Sequence, residues 1–294
     1  HLCDRRQRQM CIRDRYEGGI PQQQITVFDA SRFITHTLFE KCHTEFPDVT
    51  YLDNEGGNGR VKSTYISDAI PYSVDNGKLA RGLACCAIEA DYLINMALLK
   101  GHGGQGVTLC AKNWYGVTDI DRNFRKNQHN NFNQDRGGRP RYMTFTDYIA
   151  HKDLGQKTML FLIDGLYGSE KVNGAPSGKW KMEPFGGNWP CSLFASQDPV
   201  AIDAVGIDFL STEFPRMADV NYCDMYLVEA ALANNPLSGT FYDPEQDGTG
   251  VHSLGVLEHW NNPTDKQYSR NLGQKSGIEP VSYTHLRAHE TEAD

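Results

Sequence analysis

Several familiar signatures are missing from this chain. Its eight cysteines include no C-x-x-C pair, so neither a ferredoxin cluster nor a zinc ribbon is spelled out. No apolar run approaches the roughly 18 residues of a membrane-spanning helix. The longest, "TMLFLIDGLYG", is strand-length and carries Asp164. There is no basic excess. The formal net charge is −8, which argues against a nucleic-acid groove, since that would need a basic face. Neither G-x-S-x-G nor H-E-x-x-H occurs, which removes two common hydrolase signatures. What remains, 39% hydrophobic and 22% charged over 294 residues, fits a globular protein able to bury a core. The scattered cysteines read as reduced core residues.

The two ends differ from the middle. "CDRRQRQMCIRDR" is basic, without apolar periodicity or the apolar segment of a signal peptide. "VSYTHLRAHETEAD" is equally unpatterned. Both resemble peptides translated from sequencing-adapter DNA in a metagenomic assembly. Residues 1–15 and 281–294 are therefore read as non-native, and residues 16–280 as one α/β domain.

Within that span, "QITVFDAS" reads as a buried strand closed by Asp29. "SRFITHTLFEKCHTEF" carries helical spacing at Phe33, Ile34, Leu38, Phe39 and Cys42, with Ser31 as N-cap and Pro47 as stop. "VTYLDNEGGNGR" is a second strand and turn, which makes a parallel unit. "LACCAIEADYLINMALLK" reads as a short strand or turn and then a strand. Residues 118–142 form a polar, Asn-rich loop. "FTDYIAHKDLG" is a helix ended by Gly155, and "KTMLFLIDGLYG" a central strand ending at Asp164. "CSLFAS" is a strand. "DPVAIDAVGIDFLSTEF" is a helix capped by Asp198 with Pro199 at its first position. Asp203 and Asp208 fall on its expected solvated face. The sum is α/β, a mostly parallel sheet with helices on both faces and long loops after strand C-termini, where open sheets place ligands.

The stretch richest in chemistry is "KGHGGQGVTLCAKN", residues 100–113. Gly101, Gly103 and Gly106 spell G-x-G-x-x-G. No acidic strand end follows about 20 residues on, and Lys100 and His102 put bulk into the turn, so a dinucleotide site is disfavoured. A P-loop fails because Val107-Thr108 stands where Lys-Ser/Thr is needed. What remains is Lys100, His102 and Lys112 around a Gly-rich turn at a helix start, where backbone N–H groups favour anions. A carboxylate or phosphate fits, and so does a divalent metal held partly by His102. A plain Gly-rich turn fits the spacing equally well. In a parallel sheet Asp29, Asp164 and Asp198 would share one edge with His102, a set suited to metal binding or acid/base work. Asp198 reads more simply as a cap. "DPEQDGTGVHSL" misses the calcium-loop glutamate, having Leu254 in its place. "LEHWNN" reads as a packed loop sooner than a substrate wall.

At Lys100, His102, Gly106, Val107, Thr108, Lys112, Asn113 and Gly116 the chain resembles the domain-of-unknown-function family 362. A second stretch, "LFASQDPVAIDAVGIDFL", is similar to that family's other signature, with Asp198, Pro199, Ala201, Asp203 and Ala204 in register. The resemblance implies an α/β fold and supplies no reaction. Many members carry an added ferredoxin-like cluster, which has no motif here, and many begin with a twin-arginine export signal. It therefore implies an exported protein whose signal and N-terminal domain part lie outside this stretch.

Two functions follow as expectations. One is an enzyme acting on a small anionic substrate, metal-assisted or not. Here His102, Lys100 and Asp164 are catalytic. Lys112, Asn113, Gly106 and Thr108 hold substrate, and His102, Asp164 and Asp29 ligate any metal. It requires His102 and Asp164 to converge. The other is a non-catalytic secreted binder of sugars or similar ligands, with Trp180, Trp189 and Trp260 on one exposed face.

Overall fold

A computed structural model describes residues 12, 17–74, 79–102, 105–119, 143–171, 175–176, 178–215, 223–269 and 277–282. Residues 120–142 of the expected 118–142 loop, Gly103, and most of the two adapter-like ends lie outside the described residues. Ile12, inside the first of those ends, is described and buried.

The larger sheet has four strands in the order β7-β6-β8-β9. They are β6 (Leu93–His102), β7 (Gly106–Thr108), β8 (Thr158–Ser169) and β9 (Ser192–Ser196). β6 and β8 run parallel, while β7 and β9 pair antiparallel at the two edges. The expectation of a mostly parallel sheet thus holds for the inner pair and fails at the edges. The α/β class stands. Burial alternates residue by residue along β6, as a pleated strand with one face on the core requires. β8 is buried continuously from Phe161 to Gly165, the pattern of a strand covered on both faces.

A second sheet, β1 (Thr26–Asp29), β2 (Thr50–Asp53) and β3 (Val61–Lys62), is parallel throughout. Helix α1 (His36–Glu45) connects its first two strands and buries Leu38, Phe39 and Cys42, which gives this sheet its own apolar cluster. Ser31 is not the cap of α1. The helix starts at His36 after Thr35, because Asp53 captures the Ile34 N–H at 2.8 Å and holds the chain extended up to that point. A two-stranded antiparallel pair, β4 (Tyr65–Ile66) and β5 (Leu83–Ala84), leads into a short helix α2 (Cys85–Glu89), where a strand or turn is expected.

Helices α3 (Cys110–Asn113), α4 (Met143–Ala150), α5 (Pro199–Glu213) and α6 (Met225–Ala231) complete the named elements. α4 stops at Ala150, before Gly155. Gly155 instead serves a close crossing, since a Cβ there would lie 2.0 Å from the Ile149 carbonyl oxygen. α5 packs on β6, β8 and β9 and also touches α3 and α6. It buries Ala204 and, with a contribution of about 1.5–3 kcal/mol each by leaving water, Val200, Ile202, Ile207 and Leu210. A helix packed on so many sides keeps little solvated face, and this decides where its aspartates go. Among the described residues no helix is long and apolar enough to cross a membrane.

Candidate functional site

The glycine-rich stretch is a β-hairpin, not a strand-to-helix turn. Lys100 pairs with Thr108, Gly101 with Val107 and His102 with Gly106. Cross-strand partners share a face, so Lys100 and Thr108 project together, with His102 two residues farther along the same face. Gly106 is needed for two reasons. Its φ is +79°, and a Cβ there would lie 2.4 Å from Cys223 Cβ. The G-x-G-x-x-G spelling has no phosphate-loop geometry behind it.

After β7 the chain turns at Leu109 into α3, and the first N–H groups of that helix are already occupied. Asp203 of α5 accepts from Cys110 N at 2.8 Å and Ala111 N at 3.0 Å. The Tyr226 hydroxyl donates to the same carboxylate at 2.9 Å. Burial pushes the Asp203 carboxyl up to about 6, against these hydrogen bonds, which favour its ionised form. The expectation that backbone N–H groups here await an anion is thus corrected, because the protein supplies its own. Asn113 likewise bonds within the protein. Its amide donates to Asn95 Oδ1 at 2.9 Å and to the Met96 carbonyl, while Asn95 donates to the Cys110 carbonyl. Together these contacts clamp α3 against β6.

The clamp fixes Lys112. Its side chain is 9% exposed, with Nζ 5.5 Å from the Tyr115 ring centroid. No hydrogen bond or ion pair reaches it among the described residues. Burial, then Lys100, then Arg32 lower its pKa to about 7. Arg32 is exposed and Lys100 half-buried. The turn after β1 approaches the 3-10 turn Trp114–Val117 at Ser31, whose Oγ would lie 3.1 Å from a Cβ at Gly116. Thr108 Oγ1 is buried without a hydrogen-bond partner among the described residues.

The acidic candidates belong to other elements. β8 continues past Asp164 to Ser169. Asp164 is buried beside Leu98 and Leu193, and its Oδ1 accepts from Leu166 N at 2.9 Å. His102 is four residues beyond Leu98, roughly 13 Å along the strand. Asp29 ends β1 in the other sheet, with Ser31 Oγ 3.5 Å away. Asp198 caps α5 through Val200 N and Ala201 N and also accepts from Val256 N. The expected shared edge of Asp29, Asp164, Asp198 and His102 does not form, because the aspartates are divided between two sheets and a helix cap. Among the described residues no group of three or more His, Cys, Asp or Glu side chains is arranged to hold a metal.

Asp203 and Asp208, expected on a solvated face, are buried. Asp208 accepts from Trp260 N and Tyr268 Oη, both at 3.1 Å, and lies 2.7 Å from His259 Nδ1. His259 Nε2 is 3.5 Å from Asp224. Asp208 and Asp224 together raise the His259 pKa to about 10. The signal was in the sequence. α5 has too few polar residues to form a solvated face, so its acids had to find partners inside. The three tryptophans do not share an exposed face. Trp180 is fully buried, Trp189 meets Tyr167 edge-on and Trp260 packs on Phe209. A cavity of about 330 Å³ is lined by Val228, Leu232 and Val256, beside the Asp198 cap, which accepts from Val256 N.

The model of a family described as Domain of unknown function (DUF362) matches residues 24–208, which include the hairpin, α3 and most of α5. No curated protein and no solved structure matches the chain. The chain belongs to the DUF362 family.

Proposed function

We propose that this DUF362 member is an enzyme acting on a small anionic substrate held by Lys112, Lys100 and Arg32, with Thr108 as a neutral donor. The observation that carries the reading is Lys112, a buried ammonium with cations and no carboxylate beside it among the described residues. Such a charge is costly unless something neutralises it, and an anion entering past Arg32 would do so. A lysine poised near neutral pH also suits proton transfer. It takes up a proton as the anion enters and holds it at Nζ, facing the ligand. His102, on the Lys100 face, is the second acid/base candidate. The metal-assisted form has less support, because Asp164 pairs with Leu98, roughly 13 Å along the strand from His102. The sugar-binding alternative has less still, with Trp180 in the core.

The test is a thermal-shift panel of mono- and dicarboxylates, sulfate and phosphate at constant ionic strength. It compares the wild-type chain with Lys112→Met. An anion at about 100 times its Kd should stabilise the wild type by about 2.7 kcal/mol, a shift of a few degrees. The variant should not respond. Equal responses of the two proteins to every anion would refute the site.

A further inference from the structure

We infer that a second copy of this chain docks on the face formed by residues 230–242 and 248–257, with Leu237 of each copy seated in the other's cavity beside α6. The face lies outside residues 24–208, which the family model matches, and includes none of the anion-site residues.

Two stretches build the face. "AALANNPLSGTFY", residues 230–242, and "GTGVHSLGVL", residues 248–257, hold no Lys, Arg, Asp or Glu. In a chain with 22% charged residues, uncharged runs of 13 and 10 residues belong in a core, yet these reach the surface. Leu237 is 71% exposed and Phe241 61%, with Leu232 exposed as well. The two stretches lie side by side. Leu254 N donates to the Ala230 carbonyl at 3.0 Å and Val251 N to the Tyr242 carbonyl at 2.9 Å. A Cβ at Gly250 would lie 2.8 Å from the Phe241 ring. The result is one uncharged face with exposed apolar side chains. Single apolar residues are ordinary on a surface, whereas a cluster marks a contact.

The same face holds the 330 Å³ cavity, with Val228, Ala231 and Leu232 on one side and Val256 and Leu257 on the other. A surface that carries both an apolar hollow and a projecting leucine is complementary to itself, as a two-fold contact requires. Charge points to the same occupant. Each copy has a formal net charge of −8, so two copies repel and meet most easily where neither brings a charge. The acids between the two stretches are engaged within their own copy. Asp243 accepts from Asp247 N and Gly248 N, and Glu245 pairs with Lys152 Nζ at 3.1 Å. They form a polar rim around an apolar centre. A standard interface takes about 20–30 residues from each partner, a number the two stretches and this rim supply.

The experiment is sedimentation velocity of the full chain over a concentration series. The proteins are wild type, Leu237→Glu, Ala231→Leu, which fills the cavity, and Val61→Glu, which alters an exposed apolar residue on β3 of the other sheet. Circular dichroism checks that each variant is folded. Leu237→Glu, at so exposed a position, keeps the test intact if Ala231→Leu fails to fold. The wild type is expected to pass from monomer to dimer in the micromolar range and to form nothing larger. Leu237→Glu and Ala231→Leu should each weaken the dimer tenfold or more, and Val61→Glu should leave it unchanged. A wild type that stays monomeric at hundreds of micromolar, or that grows beyond a dimer, overturns the proposal. So does a dimer that survives unchanged in Leu237→Glu or in folded Ala231→Leu, or one that Val61→Glu weakens as much.

Discussion

Replacing Lys112 with methionine should make the ligand-free protein more stable, and by an amount that depends on pH. Methionine keeps the length and apolar character of the lysine stem and removes the ammonium. The folded-state pKa of Lys112 is about 7 against 10.5 for the unfolded chain. Between those values the unfolded state binds more protons than the folded one. Wild-type stability must therefore rise with pH through that window, by up to about 1.4 kcal/mol per unit. At pH 7 the penalty is on the order of 4 kcal/mol and at pH 9 on the order of 2 kcal/mol, so the variant's advantage should shrink by about 2 kcal/mol between the two. Urea unfolding at pH 7 and pH 9, in buffer free of phosphate and sulfate, measures this directly, because every other titrating group cancels in the difference. An anion bound at Lys112 at about 100 times its Kd should narrow the variant's advantage at pH 7 by about 2.7 kcal/mol. A stability difference that is the same at both pH values would show that Lys112 is not held as an unpaired buried cation, and the case for the anion site would lose its basis.

Asp203→Asn should destabilise the fold by about 2–4 kcal/mol in urea unfolding, since the new amide cannot accept from Cys110 N, Ala111 N and Tyr226 Oη together; a loss within 0.5 kcal/mol would contradict the capping role. Gly106→Ala should cost about 1–3 kcal/mol through its positive φ and its collision with Cys223. Cys223→Gly should recover part of that loss in a double-mutant cycle, and strict additivity would exclude the contact. His259→Gln should speed hydrogen exchange in 256–260 while leaving β6 and β8 protected. The folded pKa of His259 is raised to about 10 from 6.5, so the stability it adds is complete below pH 6.5 and is lost as pH rises through about 10. Its slope opposes that of Lys112, and the glutamine variant should gain stability with pH more steeply than the wild type.

Local pattern was enough for the core and not for the site. The alternation along β6, the apolar run of β8 and the Asp-Pro start of α5 all follow from neighbours in sequence, and the structure has each. Three glycines beside a strand end suit a helix-entering turn as well as a β-turn, and only the pairing of Lys100 with Thr108 separates them. The role of Asp203 lies beyond any local reading, since its partners Cys110 and Ala111 are more than 90 residues away. The two stretches that carry the family resemblance are legible as strings, but their meeting at this carboxylate is not. That meeting also changes the chemistry. A helix start beside lysines suggests that backbone dipoles hold the anion. With Asp203 bound there, an incoming anion would meet a like charge at those N–H groups. An anion held at Lys112 would therefore be bound by side chains, away from the N-terminus of α3.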